Sequence, residues 1–291
     1  MDLVSQKAAY FGRLHSSLRP IVSQIESQSI SHQDKAKEVN SSIGDLVDSL
    51  KFEIIHSSGT ISEKQKAMLV LQYCTSVVSL EYRHKVWPYE YMALSRRVGE
   101  LLERLCSVCW DFPSRENVAR IEAPSFEQIK ASIITRIEAN LTGIVNAEDI
   151  LRDINYLAEL VGEINMKEDE VFQVEAIPHV VDFKSGFGSN EKGNTLRLLA
   201  VGRAYKLWNP NTQLFLLVRQ EENNNYLNVI RRSGLWTVYC GVAAYREIQR
   251  LTGADMVELR GSVIDFQNDL SPAFFEDIGG QLSDLRSYLN W

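Results

Sequence analysis

The chain is poor in the residues that announce several common kinds of protein. Four cysteines in 291 residues, at positions 74, 106, 109 and 240, are too few and too scattered for a disulfide framework. Only Cys106 and Cys109 form a CxxC. A zinc knuckle needs a second ligand pair, and neither another CxxC nor a spaced histidine pair is present, so these two read as ordinary helix cysteines. The five histidines, at 15, 32, 56, 84 and 179, show no metal-ligand spacing, which argues against an HNH-type site. No GxSxG elbow occurs, and Cys240 has no evident histidine partner, so nucleophilic serine or cysteine chemistry is set aside. No apolar run approaches the roughly 18 residues of a membrane span, and MDLVSQKAAYFGRLHSSLRP does not read as a signal peptide. The expected setting is cytoplasmic, with no membrane partner. Internal repeats and low-complexity runs are missing as well.

With 45% hydrophobic and 24% charged residues, the chain has the composition of an ordinary globular protein. A net charge of -7 speaks against a nucleic-acid partner at first sight. The charge is unevenly spread. From Ala254 to Trp291 seven acids (Asp255, Glu258, Asp265, Asp269, Glu276, Asp277, Asp284) face Arg260 and Arg286, so this tail carries -5 and the rest of the chain only -2. A local basic cleft is compatible with that balance.

Residues 1 to about 140 read as successive helices, with breaks expected at Pro20, at HSSGT, at Pro88 and near Pro113. Ser62 is the expected cap of the helix that Pro88 stops. This part is expected to be an α-helical domain, serving dimerisation or DNA contact. From 141 to 291 the pattern changes. After a helix opened by Asn146, EVFQVEA and HVVDFKS are short β-type runs with a turn around Ile177 and Pro178, as in a hairpin. A helix from about Thr195 to Trp208, a strand in TQLFLLV, a polar loop at Asn223, Asn224 and Asn225, a strand in LWTVYC and a helix in VAAYREIQRLT follow. Gly253 is placed to end that last helix. The alternation predicts an α/β fold, a mixed sheet flanked by helices, closing in an acidic C-terminal tail.

Within HVVDFKSG, alternation puts Asp182 and Lys184 on one strand face and turns Phe183 to the other. Phosphodiester hydrolysis needs a hard divalent cation held by carboxylates, an activated water, and a positive group near the charge developing on phosphorus. Asp182 and Lys184 would meet two of these needs. A second carboxylate is sought at the start of the preceding strand, where Glu168, Asp169 and Glu170 crowd together. If the turn residues are Ala176 and Ile177, Asp169 lies opposite Lys184. If the turn centres on Ile177 alone, Glu170 takes that place. Asp169 is favoured and Glu170 is the reserve ligand.

The spacing from Asp169 to Asp182 and Lys184 resembles the D...(D/E)xK signature of the PD-(D/E)XK nucleases, and DFKSG is similar to a motif of their RecB-like branch. The longer DFKSGFGSNEKGN resembles type II restriction endonucleases. Arg197 and Val201 stand where the RecB-like branch has Gln and Tyr, which favours the restriction type. The resemblance covers about residues 146 to 240. It implies a restriction-endonuclease-like core, Mg²⁺ bound by Asp169 and Asp182 with Glu170 in reserve, Lys184 orienting or activating water, and cleavage of double-stranded DNA to a 5′-phosphate and a 3′-hydroxyl. A restriction enzyme of this type would act as a homodimer on a two-fold symmetric site.

Several features invite other readings. GSNEKGNT, from Gly188 to Thr195, has the outline of a phosphate loop, but Asn194 stands where its lysine is required. In a nuclease the same loop would lie along DNA, with Ser189, Asn190 and Lys192 on phosphate or base edges and Arg197 and Arg203 on the following helix. Glu159 and Glu163 read as a solvated helix face. The bland alternative for Asp182 and Lys184 is a strand-end ion pair in a catalytically silent helical regulatory protein.

Overall fold

The computed structural model describes residues 2–186, 192–221, 225–278 and 289–291. The described chain is α/β, with twelve helices and one five-stranded mixed sheet, and it divides into two compact units. One unit joins residues 1–116 to 242–291, and the other is the uninterrupted segment 117–241. No helix among the described residues is long and apolar enough to cross a membrane.

The first unit is built on α3 (Ile61–Val86), which packs against α1 (Leu3–Ser27), α2 (His32–His56) and α4 (Tyr91–Asp111). Its N-cap is Thr60, two residues before the expected Ser62. Glu63 N donates to Thr60 Oγ1 at 3.2 Å and Thr60 N donates to Glu63 Oε2 at 2.7 Å, a reciprocal pair that satisfies two otherwise orphaned donors. The expected break at Pro20 does not occur, because α1 continues through it. Leu14, Leu18, Val22 and Ile25, all buried, lie at helical spacing on both sides of the proline. Their burial, at about 1.5–3 kcal/mol each, outweighs the roughly 3 kcal/mol an interior proline costs.

The helical unit also contains α9 (Val242–Thr252), α10 (Met256–Ser262), α11 (Phe266–Asp269) and α12 (Pro272–Ile278). The division expected at residue 140, with the acidic tail in the α/β part, therefore falls elsewhere. Apolar burial, with the Phe266 ring edge-on to Tyr73 at 5.1 Å, and charge pairing both tie these helices to the helical unit. Asp269 Oδ2 accepts from the Tyr73 hydroxyl and pairs with Lys7 Nζ, both at 2.6 Å, while Asp265 N donates to the same tyrosine oxygen at 2.8 Å. Gly253 ends α9 with φ +80°, as expected for a left-handed position after a helix.

The second unit carries β1 (Val118–Arg120), α5 (Phe126–Leu141), α6 (Ala147–Val161), β2 (Glu170–Val174), β3 (Ile177–Lys184), α7 (Lys192–Trp208), β4 (Gln213–Val218), α8 (Asn225–Arg232) and β5 (Thr237–Cys240). The strands lie in chain order. The first two pairings are antiparallel and the last two parallel, with α7 and α8 making the crossovers. The short β1 and the helix α8, which begins where a polar loop is expected, are not apparent in the sequence pattern. Asn146 stands before α6 in a left-handed conformation and makes no side-chain cap bond.

The β2–β3 register differs from both expected alternatives. Val174 pairs with Ile177 and Glu170 with Val181, so the turn is Glu175–Ala176, both at positive φ (50° and 66°). Two consecutive positive φ values match the right-handed twist of a two-residue hairpin, and here neither position is the Gly or Asn that usually signals it. Pro178 is tolerated because β3 pairs with β4 only from His179 onward.

Val180, Leu214, Leu216 and Val218 share one sheet face, which α7 covers with Leu198, Val201, Ala204 and Tyr205. The approach is close at Gly202. A Cβ there would stand 2.6 Å from Trp236 Nε1 and 3.3 Å from the Leu214 side chain, while Trp236 Nε1 itself donates to Leu198 O at 2.8 Å. Gly202→Ala is expected to lower stability by about 1–3 kcal/mol in chemical denaturation, although Ala favours a helix by about 1 kcal/mol. A neutral or stabilising result would mean that the indole contact is not close.

Candidate active site

The last residues of β3, the approach to β2 and the start of α7 converge on one point. Asp182 is 1% exposed, and alternation places it on the face that α7 covers. A carboxylate so buried needs compensating charge, and two cations supply it. Lys184 Nζ hydrogen-bonds to Asp182 Oδ1, and it also donates to Phe183 O at 2.9 Å. Arg197 Nη2 reaches Asp182 Oδ2 at 2.6 Å, and its Nη1 reaches Glu168 Oε1 at 2.7 Å. One guanidinium thus bridges two carboxylates. Asp169 joins them, accepting from the Phe183 backbone N–H at 2.6 Å. The observed register, carried one residue beyond the ladder, sets Asp169 across from Asp182 rather than from Lys184.

Three acids and two bases meet in little water. Burial raises the Glu168 carboxyl to about 7 against the pull of Arg197, and the nearby Asp182 charge adds to the rise. Asp169 is raised by burial and by Asp182, with Lys184 and the Phe183 N–H opposing. Burial acts to discharge Arg197, but Asp182 and Glu168 overcome it and hold its pKa above the usual value. Tyr205, whose hydroxyl donates to Met166 O at 3.1 Å, is also raised, by burial and then by Glu168.

Other sequence candidates are placed differently. Glu170 lies on the opposite sheet face, where Arg120 Nη1 pairs with it at 2.6 Å, so the corrected register removes it from the Asp182 set. Arg197 is engaged inside the site by Asp182 and Glu168. Lys192 and Arg203 are exposed on α7, Arg203 about 120° around the helix from Arg197. Ser189 and Asn190 lie outside the described residues. His179 stacks between Phe172 and Phe215 on the far face, with ring centroids at 5.2 and 5.8 Å.

Comparison with models of known families, with curated proteins and with solved structures gives no match. The site must therefore be judged on its own geometry.

Among the described residues, no group of three or more Asp, Glu, His or Cys side chains is arranged to hold a metal ion. Mg²⁺ makes smaller demands: it keeps several waters and binds through one or two carboxylates. Asp169 and Asp182 form such a pair, and the rise that Asp182 imposes on Asp169 is the mutual repulsion a cation would relieve. Both Asp182 oxygens are engaged, one by Lys184 and the other by Arg197.

Glu168, one of the three crowded acids but not the one chosen as a ligand, belongs to this network, and so does Tyr205, which the sequence did not single out. Arg219 stands near the same strand ends, its N donating to Lys184 O at 2.8 Å and its guanidinium to Ser185 Oγ at 3.1 Å. Strand alternation would put Glu168 with Glu170. The ladder begins only at Glu170, so the preceding residues are free to turn.

Glu168 ionises near 4.5 when solvated and near 7 in the fold. The folded state holds the extra proton between those values, so this contribution is fully present below about pH 4.5 and is lost as pH rises through 7. The change amounts to about 3 kcal/mol. Thermal unfolding in EDTA should show stability falling over this window, with Glu168→Gln flattening the fall and exceeding wild type at pH 8. Equal pH slopes in the two proteins would show that Glu168 titrates normally.

Proposed function

We propose that the α/β unit is a Mg²⁺-dependent endonuclease of the PD-(D/E)XK kind, acting as a type II restriction enzyme. One observation carries the reading. The hydrogen bond from the Phe183 N–H holds the Asp169 carboxylate at the end of β3, where Asp182 and Lys184 stand, and a helix and a parallel strand follow. Parallel strands that end together are a usual place for ligands to bind.

Asp169 and Asp182 are the proposed Mg²⁺ ligands. A divalent cation held there would supply Lewis-acid polarisation of the phosphodiester. Lys184, an ammonium fixed between Asp182 and the Phe183 carbonyl and 20% exposed, is placed to hydrogen-bond an attacking water and the charge growing on phosphorus. The water oxygen bonds to phosphorus, its proton passing to solvent, as the P–O3′ bond breaks. The leaving oxygen takes a proton, giving a 3′-hydroxyl and a 5′-phosphate. Arg197, once its carboxylates have another counter-charge, is a second cation for the phosphate. A homodimer on a two-fold symmetric duplex would bring one such site to each strand.

A second reading has an observation of its own. Both Asp182 oxygens are already engaged by cations. The five charges would then be a structural network in a catalytically silent unit of an interaction protein.

Plasmid and phage DNA incubated with Mg²⁺ or with EDTA separates the two. Discrete fragments are expected only with metal. Asp182→Ala and Asp182→Asn should abolish them, and Lys184→Ala should slow cleavage by about 10²- to 10⁴-fold, in variants whose circular dichroism matches wild type. Smearing would keep the nuclease and remove its site specificity. DNA left intact with both Mg²⁺ and Mn²⁺, or cut equally by the Asp182 variants, would leave the structural network as the reading.

A further inference from the structure

We propose that the helical unit binds a phosphate ester in the cleft that α2 and α4 form over α3, the ester being carried by a free nucleotide or by a nucleic-acid strand. The cleft has a volume of about 790 Å³ and is lined wholly by residues of α2, α3, α4 and the short segments that follow the last two. Small-ligand sites commonly have volumes of roughly 300–1,000 Å³.

The floor is unusual for the helix that makes it. Most of α3 is buried and apolar, yet Gln72, Thr75, Ser79 and Arg83 recur at helical spacing along the cleft. Ser79 is only 7% exposed, and neither its hydroxyl nor the Gln72 side-chain amide hydrogen-bonds with any described residue. A hydroxyl and an amide without a protein partner on the floor of an open cleft can each hydrogen-bond a ligand atom in place of water.

The available groups are donors. Arg83 is held by ring faces, its guanidinium 4.4 Å from the Trp87 ring centroid and 4.9 Å from that of Tyr89; its Nη1 donates to Trp87 O, and it has no carboxylate partner among the described residues. Arg97 also lines the cleft, and it shares the single carboxylate of Glu100 with Arg96, at 3.2 and 3.0 Å. Burial and then Arg97 depress the pKa of Arg83 against the opposing effect of Tyr89, and a bound anion would oppose both. Lys51 and Arg104 raise the cations in the lining to five, against three carboxylates. Hydroxyl, amide and paired guanidiniums suit a tetrahedral oxyanion, which offers each a separate oxygen. Phe112 supplies an aromatic wall for a base. None of these residues belongs to the Asp182 site, so the inference stands whether or not the nuclease reading does.

The test uses the full chain in EDTA. ATP and inorganic phosphate are titrated calorimetrically, and fluorescein-labelled single- and double-stranded 20-mers are followed by anisotropy at 50 and 200 mM salt. At least one probe should bind, and Arg83→Gln/Arg97→Gln should weaken it tenfold or more. If the probe is a strand, the logarithmic salt slope should drop by about 0.7–0.9 for each arginine removed that contacts a phosphate. Gly44→Trp is an independent variant: it lines the cleft, and a side chain there enters open space, so it should block binding without disturbing the core. Binding of ATP alone assigns the cleft to free nucleotides, and binding of oligonucleotides alone assigns it to a strand. Absence of binding by every probe, or equal binding by wild type and by both variants, overturns the proposal.

Discussion

The α/β unit is organised around one buried negative charge. Asp182 cannot keep its ionised carboxylate at 1% exposure without cations, and removing a partner from such a group costs about 3–5 kcal/mol. Lys184 meets part of the need from two residues along the same strand. The rest requires Arg197, which arrives only if α7 starts where β3 ends and lies back over the sheet. The crossover that buries Leu198, Val201 and Tyr205 is the same element that delivers the guanidinium. Packing and charge pairing therefore depend on one placement of one helix.

Much of this was legible. A period of two placed Asp182 and Lys184 together, and the turn to helical spacing at Thr195 located α7. The alternation of elements foretold a mixed sheet. The hairpin register was not legible, because Glu175 and Ala176 adopt left-handed conformations that their residue types do not advertise. That single difference moves Asp169 from Lys184 to Asp182 and takes Glu170 to the other face. Glu168 was named with its neighbours but passed over for a related reason: alternation holds only within a strand, and Glu168 lies two residues before one. Pro20 misled in the opposite direction, since tertiary burial on both sides of it outweighs a local preference. The membership of the C-terminal helices was hidden too. Asp269 reads as a tail charge until Tyr73 and Lys7 are seen to receive it, and Asp265 likewise until its backbone N–H is seen to donate to the same tyrosine.

The two units use arginine in contrasting ways. In the α/β unit, Arg197 is saturated by carboxylates, and its charge is spent on holding the fold of the site together. In the helical unit, Arg83 is fixed by aromatic faces that neutralise nothing. Ring stacking restricts a guanidinium without cancelling its field. One arrangement is internally compensated, and the other leaves positive potential in a cleft.

The split of the helical unit around residues 117–241 also orders events during synthesis. The α/β segment is continuous, so all of its strands can pair as soon as Cys240 has left the ribosome. The helical unit has no such freedom: Tyr73 and Lys7 wait for Asp265 and Asp269, nearly 200 and more than 250 residues later. Long-range closures of this kind are slow, and the surfaces awaiting them stay exposed meanwhile. Nascent α1 to α4 would therefore be the stretch most in need of a chaperone, and the segment made later would be the first to reach its final form.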